Sequence, residues 1–446
     1  MKIVKLAPLF ILPLIVTSCT KKNVNPEPEE DKQTVTINMP ATLSSEKKDT
    51  GYDLTFEYKD EYFTRDSKVY DRDLSLLSFG ASMIDNTEDG QFFATMGYDN
   101  VTFSEGYDDK PTEDGIGYVF AHKFLEDGTS LVAISFRGLN YGAEWSNNLQ
   151  IGEEGDHEGW SLRADEALAS LKTYLTNYIG HKFKLWITGY SRAGAMSNVL
   201  ASKIFREANP IINKENMYVY TFECPQGLSE EHAIEYENVH NVVNTADPIT
   251  YIAPSEWGLS RCGKDVNIYN EDIDRIVYNF DIGIILPALA KKTNYYETDQ
   301  ELVSFILSSL MKEQSGDYQE YSMHTREDYC NNYQAVLSYL MGIVWQLSSE
   351  SMNGLMADFE ALGDNIYTLL MDDTVYNMLV PYVDADGIVC DKEELRASCN
   401  KMVHALPVIG LDLIVMMIDP STKTNLSRFI YMHFPEVNYA LLLQRP

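Results

Sequence analysis

The stretch Leu185-Trp186-Ile187-Thr188-Gly189-Tyr190-Ser191-Arg192-Ala193-Gly194-Ala195 decides the fold. A short apolar strand, Lys184 to Thr188, runs into G-x-S-x-A-G, and helical spacing follows over Ala195 to Ala208. A serine on so sharp a strand-to-helix turn has its hydroxyl pushed clear of the sheet. Small residues at Gly189, Ala193 and Gly194 let backbones pass where a larger side chain would clash. The helix N-terminus offers backbone N–H groups, among them that of Arg192, to a developing oxyanion. Ser191 is thus a candidate nucleophile; the competing reading is a Ser-Gly turn that only caps a helix.

Outward from this turn, strands and helices alternate. Gly115 to Leu125 and Ser130 to Phe136 read as strands, Asp165 to Ile179 as a helix, and Met217 to Cys224 and Val239 to Asn244 as further strands. That alternation predicts a mostly parallel sheet with helices on both faces. Upstream, Thr34 to Asn38 and Tyr52 to Phe56 alternate as strands, and residues 72 to 96 read as one helix. From about Asn267 the texture changes to a long series of helix-like apolar segments, with no internal repeat. Residues 267–425 are therefore expected to form a helical cap or insertion.

The 446 residues carry 35 Lys+Arg against 67 Asp+Glu, a formal net charge of -32. Such a field repels phosphate backbones and anionic head groups over about a Debye length, which argues against a nucleic-acid partner and for neutral substrates. With 45% hydrophobic residues the chain has ample material for a core, and a largely disordered chain is ruled out. Lys2 and Lys5 precede an apolar run, Leu6 to Val16, of signal-peptide length and far below a bilayer span of about 20 residues. It ends in Val16-Thr17-Ser18-Cys19, similar to the lipobox of bacterial lipoproteins, in which the chain is cut before a cysteine that is then lipidated. Expected from this are a signal peptide over 1–18, a lipidated Cys19 on a flexible polar tether over 19–33, and a domain over 34–446. The protein is then exported and held by lipid at a cell-envelope membrane, in the outer membrane or at the cell surface.

A second set of motifs follows in order. Phe136-Arg137-Gly138-Leu139-Asn140-Tyr141-Gly142-Ala143-Glu144-Trp145-Ser146-Asn147-Asn148-Leu149 resembles the F-R-G-T-x-x-x-x-W-x-x-D/N-L stretch of class 3 lipases, and Asp156-His157-Glu158-Gly159-Trp160 resembles the H-x-G-F that follows it. Tyr218 to Gly227 is similar to the family's Y-T-F-x-x-P-Q strand, Asn244-Thr245-Ala246-Asp247-Pro248 to its N-x-x-D-P turn, and Trp257 to Gly263 to bacterial members. The resemblance implies an α/β-hydrolase fold, with the helical cap between acid and histidine, and a triad in the order Ser, Asp, His. It implies a carboxylic-ester or lipid substrate and no cofactor or metal.

Asp247 is then the natural acid. It ends a strand, and Pro248 stops the sheet; Asp before Pro is also a common turn former. Among eight histidines, His433 lies in Ile430-Tyr431-Met432-His433-Phe434-Pro435-Glu436-Val437-Asn438-Tyr439-Ala440-Leu441, which resembles the family's H-x-P-E-x-Y-x-A-W-L ending. His324 is the alternative base, although there the resemblance lies in the R-E-x-Y of Arg326-Glu327-Asp328-Tyr329. The oxyanion hole is expected from the N–H groups of Leu139 and Arg192. The family usually carries Ser or Thr where Leu139 stands, and loss of one such donor costs about 10²–10³ in rate. That departure supports a rival reading, a non-catalytic surface binding protein on a degenerate hydrolase fold. A further rival is a phospholipase or an enzyme transferring another acyl group.

Three weaker signals read as structural. With Cys19 assigned to lipid, five cysteines remain, an odd number that leaves at least one free or paired between chains; Cys390 and Cys399 could close a small loop. Asp384 to Glu393 resembles an EF-hand loop, but aligning Gly387 with its glycine puts Tyr382 at the first ligand position, so an acidic loop fits better. Ile284 to Ala290 fits a core helix better than a membrane-touching lid.

Overall fold

A computed structural model describes residues 33–44, 46–84, 89–105, 107, 115–138, 142–207, 212–286, 325–330 and 431–445. The expectations for Cys19, the leader, most of the cap, His324, Leu139, Cys390, Cys399 and the acidic loop at 384–393 fall outside the described residues. The chain divides into two units, Met1–Lys32 and Gln33–Pro446, and only the second is described.

A seven-stranded sheet runs in the order β11-β9-β7-β6-β5-β4-β3. β5 (Ser130–Phe136), β6 (Phe183–Tyr190), β7 (Met217–Phe222), β9 (Val239–Val243) and β11 (Lys264–Asn267) are parallel, whereas β4 (Tyr118–Phe124) and β3 (Asn100–Phe103) add an antiparallel edge. The central strands are buried on both faces, and their side chains alternate between two cores. On β6, Leu185 and Ile187 face one core while Trp186 and Tyr190 face the other; on β7, Met217 and Val219 face the first, and Tyr218, Tyr220 and Phe222 the second. α3 (Glu158–Leu175) and α4 (Arg192–Arg206) cover one face. α1 (Arg72–Ser82), α5 (Ile273–Phe280) and the helix Pro435–Gln444 cover the other, together with the antiparallel pair β1 (Gln33–Met39) and β2 (Tyr52–Tyr58). This arrangement, parallel strands joined through helices on both faces, is an α/β-hydrolase fold.

Several sequence expectations change. The helix expected over Asp165 to Ile179 begins at Glu158 and ends at Leu175. The helix over residues 72 to 96 is two, α1 and α2 (Asp89–Thr95): Asp71 caps the first, its Oδ1 accepting from the Asp73 and Leu74 N–H groups, and Met83 ends it. β3 and β11 were not expected. Both lie at sheet edges and alternate only weakly between buried and exposed, so they lack the apolar run that marks the central strands. β1 also begins at Gln33, one residue inside the expected tether.

α3 opens on the His157 to Trp160 motif. The His157 ring stacks on Trp160 at 3.7 Å, its Nδ1 accepts the Trp160 N–H, and its Nε2 lies 3.3 Å from the Asn148 carbonyl. Nδ1 acts as acceptor and Nε2–H as donor, which describes a neutral imidazole; protonation would destroy the cap. Burial, aided by Arg326, pushes the His157 pKa down to about 3. An unfolded histidine takes up its proton near pH 6.5, so below that pH the unfolded chain binds more protons and stability must fall. In urea unfolding, stability is expected to be full above about pH 6.5 and to decline as pH drops toward 3. His157→Asn, which keeps a cap without titrating, should flatten that decline; an unchanged slope would show that His157 is not its source.

Candidate active site

Ser191 sits at the C-terminal end of β6 with φ 55 and ψ -125, a left-handed conformation rare for a residue with a Cβ. The turn is enforced by close backbone approach. A Cβ on Gly189 would lie 2.3 Å from the Ala193 carbonyl oxygen, and one on Gly194 would lie 3.0 Å from that of Gly189. The Ser191 N–H donates to the Phe222 carbonyl at 2.8 Å, tying the turn to the end of β7. Ser191 makes no side-chain cap bond to α4, so the helix-capping alternative fails.

Its hydroxyl goes elsewhere. Ser191 Oγ lies 2.7 Å from His433 Nε2, and His433 Nδ1 lies 2.6 Å from Asp247 Oδ2. Asp247 is fully buried at the end of β9, and its Oδ1 accepts the Ile249 N–H at 2.9 Å. Asp247 therefore serves as turn former and imidazole partner at once, one oxygen for each. His433 precedes the helix Pro435–Gln444, whose first position is the proline that suits a helix start. A polar clamp holds this turn. Tyr190 Oη donates to the His433 carbonyl at 2.6 Å and accepts from Asn438 Nδ2 at 2.9 Å, while Asn244 Nδ2 donates to the Met432 carbonyl and to Asn438 Oδ1. The geometry offers a hydroxyl, an imidazole in contact with it, and a buried carboxylate orienting the imidazole, which is the set nucleophilic acyl transfer needs.

The sequence model of the family described as lipase (class 3) matches residues 133–257. The matched stretch holds both Ser191 and Asp247, and over it the chain is similar to that family. Its fold is also similar to that of a triacylglycerol lipase whose catalytic centre is described as a serine protease triad, at 17% identity and TM-score 0.35, over 46% of this chain and 83% of that one. Rhizomucor miehei triacylglyceride lipase matches at 16% identity and TM-score 0.34, over 48% and 81%. Lipase II from Rhizopus niveus matches at 13% and 0.30, over 47% and 80%. No curated protein sequence matches the chain.

The loop after β5 is anchored by charge. Glu144, fully buried, accepts from Arg192 Nη1 at 2.9 Å and pairs through its other oxygen with Arg137, whose Nη1 donates to the Tyr107 carbonyl at 2.8 Å. One carboxylate thus joins the loop that begins at Gly138 to the residue following Ser191. Arg326 and Tyr329 explain the R-E-x-Y resemblance without His324. The Arg326 guanidinium donates to the carbonyls of Ile151, Gly152, Glu154, Gly155 and Asp156, and Tyr329 Oη donates to that of Leu149. Among the described residues no three His, Cys, Asp or Glu side chains gather as metal ligands.

Sequence reasoning missed Glu144, Glu223 and the Tyr190–Asn438–Asn244 clamp. The available signal was an acid in an apolar context: Glu223 directly follows the apolar strand β7 and is fully buried. Removing one member of a buried ion-pair set leaves uncompensated charge. Glu144→Gln is expected to lower unfolding free energy by about 3–5 kcal/mol in denaturant titrations. Asp272→Ala, which removes the exposed partner of Arg275, should cost less than about 1 kcal/mol.

Proposed function

We propose that the chain is a carboxylic-ester hydrolase acting by serine acyl transfer and held at a cell-envelope membrane through Cys19. The observation that carries the catalytic part is the unbroken contact from Ser191 through His433 to Asp247. Ser191 Oγ attacks the ester carbonyl carbon while His433 Nε2 takes its proton. The tetrahedral intermediate collapses as the C–O bond to the alcohol breaks, and the imidazolium returns that proton to the leaving oxygen. Water activated by the same imidazole then attacks the acyl-enzyme, releasing the acid and restoring Ser191. Asp247 holds the tautomer with Nδ1–H toward itself and stabilises the imidazolium. The N–H of Arg192, at the start of α4, and that of Leu139 are assigned to the oxyanion.

The anchor rests on the leader. A basic start, an apolar run and Cys19 in lipobox spacing support lipidation, and at about 0.8 kcal/mol per buried methylene several acyl chains retain a protein at a bilayer where one does not. The acidic charge favours neutral esters over anionic phospholipids as substrates.

Wild type should label with a fluorophosphonate and hydrolyse p-nitrophenyl esters. Ser191→Ala and His433→Ala should each lose about 10⁴-fold or more in kcat/KM, and Asp247→Asn about 10⁴-fold through the wrong tautomer, while His324→Ala retains wild-type rates. A folded wild type that neither labels nor turns over would instead favour the binding-protein reading. Cys19→Ser should move the protein from the membrane pellet to the soluble fraction; continued sedimentation with membranes would remove Cys19 as the anchor.

A further inference from the structure

Behind Asp247 stands a second carboxyl that the reaction described above does not use. Glu223 is fully buried, directly after β7, with φ 46. A residue with a Cβ is disfavoured there and persists only when its surroundings hold it. Here they do: the Glu223 N–H donates to the Val242 carbonyl at 3.0 Å, and both carboxyl oxygens accept the Asn244 N–H at 3.1 Å. Its carboxyl group also faces that of Asp247, close enough for one proton to bridge the two.

Two carboxyl groups cannot share a hydrogen bond unless a proton lies between them. Asp247 has one oxygen on the Ile249 N–H and the other on His433 Nδ1, so it is arranged as an acceptor throughout. The remaining donor is Glu223. We propose that Glu223 is a positioning residue, a neutral carboxylic acid that donates its proton to Asp247 and so fixes the carboxylate that orients His433. This rests on the triad proposed above and extends it by one member.

The charges facing Glu223 agree. Asp247 is the charge that acts on it most strongly and raises its affinity for a proton; Arg261 opposes this, but its guanidinium is committed to Asp265 and to the carbonyls of Cys224 and Thr250. Tyr190, held neutral by burial and by the Asp247 charge, donates to the His433 carbonyl, and burial pushes the Cys224 thiol up to about 12, leaving it neutral. His433 lies beyond Asp247. Burial, first, and then Asp247 raise the Glu223 carboxyl well above the usual range. Glu223 also reaches the histidine by a second route: it fixes the Asn244 N–H, and the Asn244 side chain holds the Met432 carbonyl at 3.2 Å.

The test compares Glu223→Gln and Glu223→Ala in the full chain. Gln keeps a donor for Asp247 and an acceptor for Asn244, so it should restore most of the fluorophosphonate labelling that Ala loses, with the acid limb of its pH profile in place. Ala removes both bonds: labelling should slow about tenfold or more through misplacement of the imidazole. Its acid limb should move to higher pH, because a carboxylate without its donor holds the imidazolium more tightly. At neutral pH the wild-type minus Glu223→Gln infrared difference spectrum should contain the carbonyl stretch of a protonated carboxylic acid. Absence of that band makes Glu223 an anion and overturns the proposal. So does loss of labelling in a folded Gln variant, or an Ala variant that labels like wild type with its acid limb unmoved. The infrared band needs no turnover, so a wild type that fails to label would defeat the proposed triad while Glu223 is still judged by its protonation.

Discussion

The close passage of β6 and α4 at Gly189 is the constraint on which the rest depends. With no room for a Cβ between Gly189 and the Ala193 carbonyl, the chain reverses within a few residues, and Ser191 is left at φ 55 with its hydroxyl free of the helix. Strain of this kind persists only when the surroundings over-determine it. Here the Ser191 N–H is held by Phe222, the last residue of β7, and the next residue, Glu223, is itself at positive φ and held by Val242 of β9. Three adjacent parallel strands thus lock one another at their C-terminal ends, the edge at which open α/β sheets place their chemistry.

The histidine comes from far along the chain. Its contacts with Asp247 and Ser191 close sequence separations of 186 and 242 residues. Loop-closure entropy grows only with the logarithm of length, about 0.6 kcal/mol for each doubling, so a long stretch of chain between Asp247 and His433 adds little to the cost of bringing them together. What it does demand is a local device that holds the returning turn. Tyr190, Asn244 and Asn438 provide it, each binding backbone or side chain near His433 from a different element. The Tyr190 ring also packs edge-on against Phe79 of α1, so the same residue belongs to the apolar core and to the clamp.

Legibility followed the physics of each element. Central strands such as Ser130–Phe136 are buried throughout because both faces are covered; that strand was readable to the residue, and Phe183–Tyr190, Met217–Phe222 and Val239–Val243 were readable apart from their ends. Edge strands were not, since β11 buries only Val266 and its neighbours remain wholly or partly exposed, which in sequence is indistinguishable from a loop. The break between α1 and α2 escaped notice because apolar residues continue through Met83 and Ile84, both buried although the helix has ended. Ser191 was legible from its local context. Asp247 and His433 needed the ordered family motifs, because an Asp before Pro and a His before Phe-Pro carry no chemistry of their own. Glu144 was beyond reach and Glu223 offered only its place after an apolar strand, because their meaning lies in which residues tertiary folding sets against them.

The net charge of -32 acquires structure from the same contacts. Several arginines are used inside the molecule. Arg137 and Arg192 meet Glu144 in the interior, Arg261 has a largely covered side chain that reaches the exposed Asp265, and Arg326 is enclosed by five carbonyls. Each is bound to a fixed partner, so none is available as a mobile surface cation to attract an anionic ligand. The excess of carboxylates over cations repels anions over about a Debye length and loses that effect as salt is added. The buried acids near Ser191 act only over contact distance, on tautomer and orientation. Charge therefore enters this protein on two separate scales: at long range it selects what approaches, and at short range it holds the imidazole in line with the serine.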